Sequence, residues 1–370
     1  MKKEPAKSDA VVQKDEAPQM QIFSDVHIAY PANRATGLLY EYFANGLSGI
    51  RELAERDKAL SKGSHKLDVF EDDKNHKVVI RYVSADNTSE VDLEFSGNAY
   101  NDASYFKGVK KVLVFICSKL ASCVSADGTA WKNTVTFPLG ELVRLGAYSD
   151  THNARRGVED AAEVLTWVRL KGSLYGEDDS RMIRKYVSPF KATIENAIAT
   201  VTIDKDINIP SFVRFYMMVP DYYYRLSSKA ADFLMMTCQR LRYGTRDVAK
   251  NGSVTMSVRS IQQYLGLPSM DGPDGERKTR NPGRVIVRPI LNAIVEIEKA
   301  QKDSGMMDFT FRVVGDTKKA RTFIESGFIV ATPIGEYLER LESITTRRKK
   351  AIERRIARKT TAIPDGAVFG

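Results

Sequence analysis

Four side chains late in the chain have the types and spacing to read hydrogen-bonding edges. Asn281, Arg284, Arg288 and Asn292 are separated by three, four and four residues. On a helix turning about 100° per residue they gather within roughly a quarter of the surface. Ile286, Ile290, Ala293, Ile294 and Ile297 gather on the opposite side. Arginine offers a planar fork of donors, and asparagine a donor beside an acceptor. These groups bond guanine and adenine edges bidentately in the DNA major groove. A plain solvated helix face is the alternative, but the stripe contains no acidic residue. The run just before it adds Arg277, Lys278, Thr279 and Arg280 near the start of the helix. Backbone N–H groups at such a position favour phosphate. Pro282 suits a first helical turn, whereas Pro289 lies inside the pattern and predicts a kink or a later start.

Such a helix must be positioned by a scaffold, and the sequence carries that scaffold twice. Val135-Thr-Phe and Val254-Thr-Met each open a short strand. Each continues into a short helix ending in Leu-Gly, at Leu145-Gly146 and Leu265-Gly266. A polar turn then leads to Asn153 or Asn281 and a longer helix. A long apolar helix precedes each repeat, Val109–Val124 and Ser228–Arg242, and alternating or Gly-punctuated segments follow. Helix, strand, short helix, turn, long helix and hairpin is the order of a winged helix. Glycine after the short helix suits a left-handed cap that allows the sharp turn.

The two long helices differ in charge. The outward stripe of residues 153–169 holds Arg156, Glu159, Asp160 and Glu163, with Val158, Ala162 and Leu165 inward. Carboxylates are repelled by a phosphate groove, so the first unit is expected to position or dimerise while the second specifies. Arg155 and Arg156 remain candidates for phosphate contact.

The rest of the chain sets the context. Residues 34 to about 60 show helical periodicity through Leu38, Leu39, Tyr42, Phe43 and Leu47. Alternating runs from His76 and Ser89 flank a turn-rich segment and predict a β-hairpin. The C-terminal segment has partial helical periodicity and becomes strongly basic at Arg347, Arg348, Lys349, Lys350, Arg354 and Arg355. Its alternatives are a solvated helix, an arm that tracks DNA non-specifically, or a membrane-surface helix, for which the aromatic anchors are lacking. With 43% hydrophobic and 28% charged residues, the 370-residue chain has a globular composition, and its length suggests two to three domains. The net charge of +9 favours a polyanionic partner. No apolar run reaches membrane-spanning length, and no apolar segment follows the first lysines. A cytoplasmic, nucleoid- or plasmid-associated location is therefore expected.

Enzymatic chemistry finds little support. The four histidines, His27, His65, His76 and His152, form no His-x-His pair of the kind a rolling-circle nuclease uses. Tyr222, Tyr223 and Tyr224 then read as packing residues. His152-Asn-Ala-Arg155 matches the His-x-x-Arg spacing of tyrosine recombinases, a match that arises readily by chance. No GxxxxGK[ST] phosphate loop is present. Cys117, Cys123 and Cys238 include no CxxC pair, so no metal and no cofactor is expected.

Over Val285-Ile-Val-Arg-Pro-Ile-Leu-Asn-Ala-Ile-Val-Glu-Ile297, the chain resembles the iteron-type plasmid replication initiators. In that family an aliphatic pair, a proline, Ala-Ile and Glu-Ile follow a basic turn in the second winged helix. The segment from Tyr222 also resembles the start of that unit, and the likeness spans roughly residues 108–331. The resemblance implies binding of origin repeats by both units, dimerisation through the first, and Arg280, Asn281, Arg284 and Arg288 in or beside the reading helix. The expected fold class is α+β with two tandem winged-helix domains. The expected division is a disordered tail at 1–20, a helix and β-hairpin region at 21–107, winged-helix units at 108–215 and 216–333, and a basic helix and tail at 334–370. Double-stranded DNA, a second copy of the chain and replication proteins are the expected partners, and no membrane. A transcriptional repressor or partition-type protein is the alternative function, and a scaffold using winged helices only for protein contacts is a third reading.

Overall fold

Apolar residues at helical spacing from Leu38 to Leu47 build the first long helix; Leu38, Leu39, Tyr42 and Phe43 are buried, and Leu47 is half-buried against the same core. The computed structural model describes residues 27–31, 34–61, 66–83, 90–100, 106–123, 131–172, 183–207, 216–243, 251–270 and 279–342. The expectations for residues 1–20 and for the basic segment beyond 342 lie outside these residues. Helix α1 (Arg34–Ser61) changes direction at Gly46, whose φ of 64° and ψ of −166° are non-helical.

Strands β2 (Lys66–Asp72), β3 (Lys77–Val83) and β4 (Glu90–Ser96) follow. β3 and β4 form the expected antiparallel hairpin, from Lys77↔Ser96 to Val83↔Glu90. The hairpin is not isolated. β2 joins one edge, and β6 (Val168–Gly172) and β7 (Ile183–Val187) join the other, giving the order β2-β3-β4-β6-β7. The sheet therefore runs across the boundary expected between residues 107 and 108. Burial makes this favourable: β4 is a central strand with Val91, Leu93 and Phe95 on one face and the nearly buried Asp92 and Glu94 on the other. The carboxylates are paired by neighbours, Asp92 by Arg81 at 2.8 Å and Glu94 by Lys77 at 2.6 Å. Tyr42 of α1 stacks on Phe95 at a centroid distance of 3.8 Å, closing the apolar face.

The two repeats fold alike. The first comprises α2 (Lys107–Ser122), β5 (Thr134–Pro138), α3 (Gly140–Arg144), α4 (Thr151–Thr166), β8 (Phe190–Glu195) and β9 (Ile198–Ile203). The second begins after β10 (Tyr216–Pro220) and comprises α5 (Ser228–Tyr243), β11 (Val254–Ser257), α6 (Val258–Tyr264), α7 (Arg288–Ser304), β12 (Phe309–Val314) and β13 (Phe328–Pro333). Each has a three-stranded antiparallel sheet in which the first strand pairs with the last, β5-β9-β8 and β11-β13-β12. Gly146 and Gly266 adopt the left-handed conformation expected after the short helices, with φ of 77° and 56°. They differ in their insertions: β6 and β7 precede the first hairpin, and α8 (Ala320–Ser326) lies within the second.

Helix α4 starts at Thr151, ahead of the expected Asn153. Asp150 is the cap, accepting the Asn153 N–H at 2.8 Å, and Asn153 donates its side-chain amide to the same carboxylate. The backbone bond from Asn153 holds the Asp150 carboxyl below its usual range.

The hairpin β8–β9 turns through Asn196 and Ala197, with φ of 47° and 61°. Two positive φ angles define the turn that matches strand twist, and asparagine tolerates it. An alanine in the left-handed region costs about 1–2 kcal/mol. Ala197→Gly is expected to stabilise the protein by about 1 kcal/mol after allowing for the greater freedom of glycine in the unfolded chain. A urea midpoint that does not rise would contradict this account.

The N-terminal region and both units share one core. β1 (His27–Pro31) pairs antiparallel with β10. Lys110 of α2 donates to both carboxylate oxygens of Asp232 in α5, at 2.7 and 2.8 Å, and to the Ser228 hydroxyl at 3.0 Å. The Tyr40 hydroxyl of α1 donates to Asp232 at 3.0 Å and lies 3.1 Å from that of Tyr223. Tyr222, Tyr223 and Tyr224 form a 3-10 turn and are fully buried, in keeping with a packing role. Burial pushes all three phenols well above their ordinary range.

Candidate nucleic-acid interface

The start of the long helix in the second unit is built around its two prolines. Asn281 accepts the Arg284 N–H through its side chain at 3.1 Å. Residues Gly283–Val287 form a widened π turn, and α7 proper runs from Arg288 with Pro289 in its first turn. Proline has no N–H to donate and its ring crowds the carbonyl four residues back, so a wider turn accommodates it. The expected consequence of Pro289 is therefore a shifted start.

The rotation of this helix is set by what it buries. Ile286, Ile290, Ala293, Ile294 and Ile297 are each no more than 5% exposed. Gln301 is fully buried, accepts the N–H groups of Asp308 and Phe309, and donates to the Phe309 carbonyl. Glu296 accepts the backbone N–H and hydroxyl of Ser227, beside the start of α5. With that side anchored, Asn281, Arg284, Arg288 and Asn292 are all exposed. Arg288 and Asn292, one turn apart on α7, share one exposed face, and Arg280, Asn281 and Arg284 are exposed in the turn that leads into it. Thr279 is half-buried, and its hydroxyl donates to the Ser269 carbonyl at 2.7 Å. Arg277 and Lys278 lie outside the described residues, as do Arg347, Arg348, Lys349, Lys350, Arg354 and Arg355.

Two further cations belong to this surface and were missed by sequence reasoning. Ala320, at the start of α8, packs against Gly283 of the π turn. The exposed Lys318 and Lys319 immediately before it are thereby carried to the π turn that precedes α7. The basic run Lys318-Lys319-Ala320-Arg321 was a visible signal, but its placement depends on how the β12–β13 hairpin folds back.

The corresponding surface of the first unit has a different character. Arg155 and Arg156 are exposed on α4, as are Glu159, Asp160 and Glu163. Arg155 lies 3.9 Å from Glu159, a loose surface pair, and Asn98 donates its side-chain amide to Glu163. The tip of the β8–β9 hairpin, Glu195-Asn-Ala-Ile198, carries no cation. The exposed surface at the start of α7 is therefore cationic, whereas that along α4 mixes two arginines with three carboxylates. Among the described residues, no cluster of three or more His, Cys, Asp or Glu side chains is placed to hold a metal ion. No helix among them is long and apolar enough to cross a membrane.

No protein-family model matches the chain, and no curated protein matches it. Among solved structures, selenomethionine derivatives of domain 2 and domain 3 of RctB align with 78% of this chain and 98% of that one. The identity is 10% and the TM-score 0.32, a likeness too low to carry an argument about fold or activity.

Proposed function

We propose that this chain binds double-stranded DNA sequence-specifically through the second of two tandem winged helices, and that it initiates replication of a plasmid or similar element at repeated origin sites. The observation that carries the DNA-binding reading is the exposed Arg284 of the π turn with Arg288 and Asn292 of α7, opposite a buried aliphatic face. The initiator reading is supported by the resemblance over residues 285–297 and by the occurrence of two units in one chain. The acidic α4 surface suits a protein contact, with a second copy or with replication proteins, and no catalytic step is assigned. Selection of bound fragments from the DNA encoding the protein tests these readings. Direct repeats beside an A+T-rich tract are expected. A single inverted repeat over its own promoter would instead indicate a repressor, and no binding at moderate salt would leave a protein scaffold.

The basic C-terminal segment has a separate test. Truncation after Thr346 is expected to weaken binding to all duplexes alike. It should also flatten the dependence of log K on log salt, by about 0.9 for each phosphate that the segment would neutralise. An unchanged slope would remove that segment from the DNA interface.

A further inference from the structure

Val295 is the most exposed large apolar side chain among the described residues, at 63%. It is seven residues beyond Arg288, two helical turns, and so falls within about 20° of it around α7. That places it in the stripe of Arg288 and Asn292. The helix cannot roll to hide it, because Ile294 is buried on one side and Glu296 is held by Ser227 on the other. Along the axis, the step from Arg288 to Val295 is about 10 Å, roughly three base-pair steps of about 3.4 Å. Both residues therefore fit one passage of a major groove.

The thymine methyl is the apolar group on the major-groove edge of DNA, and an aliphatic side chain in a base-reading stripe meets it directly. We infer that Val295 is a specificity-determining residue that selects thymine by contact with its methyl group, about three base pairs from the base read by Arg288. This assignment rests on the DNA-reading role proposed for α7. Burying one methyl-sized group contributes roughly a fourfold preference.

The test uses the full chain and a duplex recovered by selection, with each thymine replaced singly by deoxyuridine, which keeps the pairing and removes only the methyl. One such position, about three base pairs from the one sensitive to Arg288→Ala, is expected to weaken binding roughly fourfold. Val295→Ala, which removes both γ-methyl groups, is expected to lose most of that sensitivity. If Arg288→Ala weakens binding while Val295→Ala keeps the parent's deoxyuridine response, or while no deoxyuridine position affects the parent, the assignment of Val295 alone is overturned. If Arg284→Ala and Arg288→Ala both leave specific binding unchanged, the reading role of α7 is overturned, and the assignment of Val295 with it. If Arg288→Ala alone is silent, the assignment of Val295, which is placed by register from Arg288, is overturned by itself.

Discussion

Asp232→Ala is expected to destabilise the protein by about 3–5 kcal/mol, the cost of breaking a buried ion pair from one side. Lys110 and Asp232 have side chains only 3% and 0% exposed. Removal of the carboxylate leaves the Lys110 ammonium buried beside the Ser228 hydroxyl without its counter-charge, and leaves the Tyr40 hydroxyl with only that of Tyr223 near it. The loss is not a measure of what the pair adds over an apolar core. Exchanging both partners for hydrophobic residues of similar volume is commonly near neutral. Lys110→Met with Asp232→Leu is therefore expected to recover most of the lost stability. Urea unfolding with an unchanged m value measures both differences. A loss below about 1 kcal/mol for Asp232→Ala would place the pair in a far more hydrated setting than its geometry indicates. Because the pair and Tyr40 join α2, α5 and α1, the same variant tests whether the N-terminal region and the two units unfold as one.

Arg284→Ala and Arg288→Ala are each expected to cost about 1–3 kcal/mol at a selected DNA site, roughly 5- to 150-fold in affinity. Both side chains are exposed, so folding should be unaffected. Affinity for a scrambled duplex should fall only by the loss of one phosphate-type charge. The informative quantity is thus the ratio of specific to non-specific affinity at fixed salt. If that ratio is unchanged in both variants, α7 does not read bases.

Much of the candidate site was legible because it depends on local periodicity. Burial against a core selects apolar residues every three to four positions along a helix, and the same rotation assigns Arg284, Arg288 and Asn292 to the opposite side. The repeated strand, short helix and Leu-Gly were legible for a similar reason, since a sharp turn needs a left-handed residue at a defined place. The β3–β4 hairpin was legible because its strands alternate and are adjacent in sequence.

The remaining features required the tertiary structure. Strand β2, Lys-Leu-Asp-Val-Phe-Glu-Asp, ends in exposed residues and alternates only at its beginning, so pairing with β3 reveals it better than its pattern does. The pairing of β4 with β6 joins residues more than 70 positions apart, and no period along the chain reports which edges will meet. Helix α4 starts ahead of Asn153 because the Asp150 carboxylate accepts the Asn153 N–H and caps the helix there, a contact set by the conformation of the preceding turn. Lys110 and Asp232, 122 residues apart, each look like one more solvated charge on a helix. By itself the sequence determined which face of each long helix is apolar and which side chains the other face presents, because those follow from residue order and helical pitch. The tertiary structure alone decided which faces meet, which charges are buried and which lysines stand beside the start of α7, because those depend on long-range packing that no local pattern encodes.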